Sequence, residues 1–133
     1  APLKDSDIIL VWHIPKAGGS TLKSILSQCF SLKRVEQLYQ QVETSTVAGI
    51  SRAKGLHLAS WDTIDYIVSS RLHEVSALFT KEHKGRMFAL FRHPIDTAVS
   101  LFYYLGVAHW EPHYNPDLSN MTLKEYASQD FIV

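Results

Sequence analysis

The sequence predicts an α/β fold built on a parallel sheet. Three features carry that reading: two short, wholly apolar runs of strand length, an amphipathic helical period directly after each, and a glycine- or proline-bearing junction between strand and helix. The run Ile8-Ile9-Leu10-Val11-Trp12 has the composition of a strand buried on both faces.

After Gly18-Gly19, the residues Leu22, Ile25, Leu26 and Cys29 recur at i, i+3, i+4 and i+7, one apolar stripe of a helix opening near Ser20. Residues 31–56 are less legible. Val35, Leu38, Tyr39 and Val42 suit a short helix or strand, and 44–49 reads as loop. From Ile64, the residues Ile67, Val68, Leu72, Val75, Leu78 and Phe79 follow a helical period, with Asp62 or Thr63 as cap and Lys84-Gly85 as its end. Met87-Phe88-Ala89-Leu90-Phe91 is the second apolar strand. Pro94 then fits the first turn of a helix, where its missing N–H costs nothing. Ile95, Ala98, Val99, Phe102 and Leu105 form that helix's expected buried stripe. Residues 106–120 hold two prolines and scattered aromatics and read as an ordered loop, and Thr122-x-x-Glu125 has the spacing of a capping box.

At 133 residues with 46% apolar composition, one domain, 1–133, is expected. Thirteen basic residues balance thirteen acidic ones, so no overall field draws the chain to nucleic acid or to an anionic membrane, and any anion binding must be local. The single Cys29 cannot form an internal disulfide. No apolar run approaches the roughly 20 residues of a membrane span, and no signal-peptide layout opens the chain, so a soluble chain is expected. A start at Ala1 rather than Met, and a finish on Phe131-Ile132-Val133 without turn or polar cap, lead us to expect a domain truncated at its C-terminus.

Two motifs sit at the expected carboxyl ends of strands, where parallel sheets bind ligands and helix N-termini present free amides. The first is His13-Ile14-Pro15-Lys16-Ala17-Gly18-Gly19-Ser20-Thr21. It offers bare backbone at Gly18 and Gly19, hydroxyls at Ser20 and Thr21, and a cation at Lys16. A nucleotide-triphosphate loop places its lysine after the glycines; here Lys16 precedes them. An isolated Gly-Gly turn with a solvated lysine would need no ligand, but the flanking Pro-Lys and Ser-Thr favour an anion. The second motif runs from Phe91-Arg92-His93-Pro94 through Ser100 to Tyr103-Tyr104. Ser100 lies off the apolar stripe on the side shared with Asp96, so Arg92 and Ser100 can grip one phosphate, the arginine as a fork and the serine as a directed donor. Taken alone, an arginine at a helix start and a solvent-facing serine explain the pair equally well.

Together, "HIPKAGGSTL" and, some seventy residues on, "FALFRHPIDTAVSLFYY" resemble the two cofactor motifs of sulfotransferases that use 3'-phosphoadenosine 5'-phosphosulfate (PAPS). The likeness is greatest to the carbohydrate branch of the Golgi, including the heparan sulfate 2-O- and 6-O-sulfotransferases and their bacterial and algal relatives. It extends from Ile8 to Tyr104 and continues weakly in "MTLKEYASQD". The resemblance implies a P-loop-like three-layer α/β fold, a central parallel sheet flanked by helices, and transfer of a sulfuryl group to a carbohydrate hydroxyl. It implies that Lys16, Ala17, Gly18, Gly19, Ser20 and Thr21 hold the 5'-phosphosulfate, and that Arg92 and Ser100 hold the 3'-phosphate. Gly55-Leu56-His57, with Trp61-Asp62 after it, is similar to the Gly-Leu-His segment of the 6-O-sulfotransferases, which makes His57 the expected base. Lys16 would stabilise the departing phosphate. The spacing after His57 departs from the family segment, and a loop histidine bonded to backbone is the alternative. The location implied is the Golgi lumen for a eukaryotic parent and the cytoplasm for a bacterial one.

His109 and His113 have the spacing of a zinc pair, but Pro112 between them breaks the helix that such a pair needs, so no metal site is expected. His13 is expected to end the first strand and shape the loop, and His73 and His83 to lie on helix surfaces. Trp110, Tyr103 and Tyr104 form either an aromatic platform for sugar or adenine, or simply core. Asn120-Met121-Thr122 is a glycosylation triplet that the capping role of Thr122 also explains. Two other functions fit parts of the pattern: a P-loop kinase or nucleotide hydrolase, and a truncated nucleotide-binding domain without catalysis. The lysine order and the lack of an acidic metal-binding strand end argue against the first.

Overall fold

A computed structural model describes residues 2, 4–60 and 62–129. Ala1, Trp61, Asp130 and Phe131-Ile132-Val133, on which some of the expectations above rest, lie outside the described residues. The chain is α/β, with a three-stranded parallel sheet flanked by helices, and it falls into two compact units. One comprises Ala1–Ile14 and Gly18–Phe91, the other Pro15–Ala17 and Arg92–Val133.

The first unit holds the sheet, in the order β2-β1-β3. Strand β1, Ile8–Trp12, is central, as its apolar run predicts. It pairs in parallel with β2, Tyr66–Ser69, and with β3, Gly85–Ala89. Because side chains alternate across a strand, Ile8, Leu10 and Ile67 enter one core with Val35, Val42, Ile50, Ala53 and Val75. Val11, Tyr66 and Val68 enter a second core with Leu22, Leu26 and Leu32. The sheet is thus the middle layer between helix α1, Gly19–Ser24, and the helices α2, Val35–Leu38, α3, Val47–Gly55, and α4, Leu72–Ser76.

Four local expectations change. Tyr66–Ser69 is a strand, not part of a helix opening at Ile64, and Gly85 opens β3 rather than ending a helix. A short buried strand and a buried helix share an unbroken apolar composition, and Ile67, Val75 and Leu78 happen to keep helical spacing across the break at Ser70-Arg71. The edge of β2 is covered: Lys33 O accepts the N–H of Asp65 at 3.0 Å, Arg34 bridges Tyr66, and Thr44 Oγ1 donates to Val68 O at 2.6 Å. The expected loop 44–49 is shorter, since Thr46 caps α3 by accepting the N–H of Gly49. Beyond α1 the chain continues as a wider π turn, Ile25–Cys29, closed by Phe30 N–H on Ile25 O. Ile25 and Cys29 face solvent while Leu22 and Leu26 stay packed, and the added residue in the turn moves Cys29 off the stripe that a regular helix would give it. Finally, β3 is an edge strand whose Met87 and Phe88 are exposed, so its apolar run does not mark a strand buried on both faces. Even central β1 leaves Ile9 exposed.

In the second unit, helix α5, Pro94–Leu105, opens with Pro94 in its first turn. Only Phe102 of its expected stripe is fully buried, whereas Ile95 is 67% exposed. Phe102 packs on the ring of Tyr126 from α6, Leu123–Ala127, at 5.0 Å between centroids. Ala108 and Leu118 are buried in the loop between these helices, which closes through Ser119 Oγ donating to Gly106 O at 2.6 Å. Thr122 and Glu125 form the expected capping box of α6. No helix among the described residues is long and apolar enough to cross a membrane.

Candidate functional site

In the first unit the glycine motif follows the carboxyl end of β1, and the second motif follows the carboxyl end of its neighbour β3. Trp12 pairs with Ala89 in register, and the Trp12 and Phe91 rings meet edge to face at 6.1 Å. Both motifs therefore follow neighbouring carboxyl ends of the sheet, where open parallel sheets bind ligands.

Gly18 is the N-cap of α1 and adopts φ 98°, ψ 15°, a left-handed conformation that side chains resist. No side chain caps α1, no acid lies in its first turn, and Ser20 and Thr21 are exposed. The first-turn amides have no intrahelical partner, so they are the unspent donors of this loop. Gly19 is buried for a different reason. A Cβ there would stand 2.2 Å from Cδ2 and 2.5 Å from Nε2 of His13, so the imidazole occupies the side-chain space that Gly19 leaves empty. His13 also ties the loop to the sheet, its N–H donating to Ser69 O at 2.9 Å. Burial, with the charge of Lys23 second, holds the His13 imidazole below the ordinary histidine pKa. It shapes the loop, as expected, and does so in the neutral form.

His57 lies elsewhere. It follows α3 with φ 52°, is exposed, and accepts both the N–H and the hydroxyl of Ser60 through its backbone carbonyl. Ser60 lines a cleft of about 420 Å³ together with Asp7, Ile8 and Asp65, which stand at the amino ends of β1 and β2. The glycine loop is at the carboxyl end of β1, a strand of five residues that spans about 17 Å. His57 and Gly18–Thr21 are therefore at opposite ends of the sheet, because α3 carries the chain back to where β2 begins. At the carboxyl end of β2, by contrast, His73 is exposed in α4, just past Ser69. His83, expected on a helix surface, sits instead in the turn before β3 with Nδ1 at 3.3 Å from Ser6 O.

The second unit brings Lys16 and Arg92 together. Arg92 Nη1 donates to Lys16 O at 3.3 Å, and Lys16 adopts φ 60°, a left-handed turn that this bond helps hold. The Lys16 ammonium stands 3.8 Å from the centroid of the Tyr104 ring. Tyr104 in turn donates its hydroxyl to Glu111 Oε1 at 2.7 Å and accepts from Trp110 Nε1 at 3.3 Å. The Glu111 hydrogen bond is the main cause that raises the Tyr104 pKa, so the phenol stays neutral. Ala17 is buried, Arg92 exposed and Ser100 half-buried on α5. Spacing did not indicate Tyr104 as the partner of Lys16, nor Glu111 as the partner of Tyr104; the nearest signal was the aromatic pair Tyr103-Tyr104 at the end of the second motif.

Among the described residues, no group of three or more His, Cys, Asp and Glu side chains is arranged to hold a metal ion. No protein-family model, curated protein or solved structure matches this chain.

Proposed function

We propose that this chain is the donor-binding part of a sulfotransferase that moves a sulfuryl group from PAPS to a hydroxyl of a carbohydrate. The observation that carries the reading is the launch of both motifs from neighbouring carboxyl ends of the sheet, β1 beside β3. In this reading the amides and hydroxyls of Gly18, Gly19, Ser20 and Thr21, with Ala17 and Lys16, bind the 5'-phosphosulfate. Arg92 and Ser100 bind the 3'-phosphate. The loop suits this task because Gly18 and Gly19 put no side chain between backbone and anion, and no side chain already caps α1.

The reaction requires the acceptor oxygen to form a bond to sulfur as the bond from sulfur to the 5'-phosphate oxygen breaks. Charge develops on the departing phosphate, where Lys16 and the helix amides stabilise it. The acceptor proton must pass to a base. The resemblance assigns that role to His57, but its position at the amino end of the sheet does not support it; His73, exposed at the carboxyl end of β2, takes its place in our reading.

Isothermal calorimetry with 3'-phosphoadenosine 5'-phosphate, against ATP with magnesium, tests this function. The bisphosphate should bind and ATP should bind more weakly; equal or tighter ATP binding would remove the sulfotransferase reading in favour of a nucleotide kinase or hydrolase.

A further inference from the structure

We propose that Trp110 is a stacking platform for a neutral sugar ring of the acceptor; for the reaction it serves, this inference rests on the sulfotransferase reading above. Trp110 is 66% exposed, yet its indole is not free to turn. Nε1 donates to the Tyr104 hydroxyl, and the Tyr104 ring meets the indole edge to face at 6.3 Å and 72°. The His109 ring also meets the indole edge to face, at 4.9 Å and 78°. The polar edge of the indole is thus spent on Tyr104, and the ring is held while much of its surface faces water. What sets Trp110 apart is the combination of exposure with a fixed orientation, since its one polar atom is bonded and its ring is contacted by two others. A held, exposed aromatic plane complements a pyranose, whose C–H face is apolar and whose hydroxyls lie around the rim.

Position and charge narrow the occupant. Tyr104 is shared by Trp110 and Lys16, so a sugar on the indole sits one aromatic ring away from the lysine assigned to the departing phosphate. The unit made of residues 15–17 and 92–133 carries three lysines and arginines, Lys16, Arg92 and Lys124, against five acids, Asp96, Glu111, Asp117, Glu125 and Asp130. A polyanionic glycan gains nothing from that balance. A neutral sugar pays no such penalty, and His109 beside the ring can bond its hydroxyls.

The test follows the Trp110 indole N–H signal by NMR in the full chain, assigned by its disappearance in Trp110→Phe. The probes are neutral tetrasaccharides, chitotetraose, maltotetraose and cellotetraose, with 3'-phosphoadenosine 5'-phosphate titrated separately by calorimetry. At least one saccharide should move the signal; by calorimetry, which needs no Trp110 signal, Trp110→Ala should weaken that saccharide roughly tenfold, and Trp110→Phe should lose less. Bisphosphate affinity should be unchanged in both variants. The proposal is overturned if no saccharide moves the signal, if Trp110→Ala binds the saccharide as the parent does, or if the variant loses the bisphosphate, which would make the indole an adenine contact. Saccharide binding that depends on Trp110 in a chain that never binds the bisphosphate would uphold the platform and remove the sulfotransferase reading.

Discussion

The Lys16 ammonium rests 3.8 Å from the centroid of Tyr104, and the Tyr104 hydroxyl is fastened to Glu111. This contact gives the lysine of the glycine motif a defined place. If that placement matters, the ring should count for more than the hydroxyl. Tyr104→Phe keeps the aromatic face and should retain most sulfuryl transfer, whereas Tyr104→Leu should lower kcat roughly two- to fivefold, the scale of an exposed cation–π contact. Steady-state kinetics with saturating donor checks this. Equal losses in the two variants would mean that the hydroxyl network, not the ring, holds Lys16.

Arg92 is exposed and, among the described residues, donates one hydrogen bond, to the backbone of Lys16, so its remaining guanidinium donors are available to a ligand. Arg92→Ala should weaken 3'-phosphoadenosine 5'-phosphate by roughly ten- to a hundredfold, the worth of a charge-assisted bond. It should barely affect the analogue lacking the 3'-phosphate. Comparable losses for both nucleotides would show that Arg92 acts through the shape of the Lys16 turn.

What was legible in the sequence depended on how local each signal was. Strand β1, the proline start of α5 and the Thr122–Glu125 box rest on neighbours within a few residues, and each folds as read. Gly18 was legible as a loop glycine because only its own φ had to be explained. Strand β2 was not, since Ile67 and Val75 fit one helical stripe equally well until the sheet pairs Ile67 with Leu10. The exposure of Ile95 and of β3 was hidden for the same reason: an apolar pattern tells which face is greasy, not whether anything covers it. At the site, the end of the sheet at which His57 lies was not legible, because it depends on how many times the chain crosses the sheet. The partnership of Lys16 with Tyr104 joins residues far apart in sequence and leaves no periodic trace.

The two histidines at opposite ends of the sheet separate by mutation. His57→Ala should leave transfer near the parent rate, since His57 lies with Ser60 and Ile8 rather than with the glycine loop. His73→Ala should lower kcat roughly a hundredfold or more, the usual worth of a general base. Donor affinity should hold in both. Full activity in His73→Ala together with a dead His57→Ala would return the base to the Gly-Leu-His segment.

Gly19 and His13 make one packed pair, so their substitutions should be coupled. Gly19→Ala puts a methyl where the imidazole stands, 2.2 Å from Cδ2, and should cost about 1–3 kcal/mol as the ring is forced out. Combining it with His13→Ala should recover part of that loss, a coupling seen only between residues in contact. The pH dependence has a definite sign. Because burial lowers the folded-state pKa of His13 below its ordinary 6.5, the unfolded chain takes up the proton first. The stability contributed by the neutral ring is full above that value and is lost as pH falls through the window below it. Urea unfolding between pH 7.5 and 5 should therefore show a decline that His13→Gln reduces. Parallel pH curves for the two proteins, or strictly additive effects of the paired substitutions, would show that the imidazole does not hold the loop.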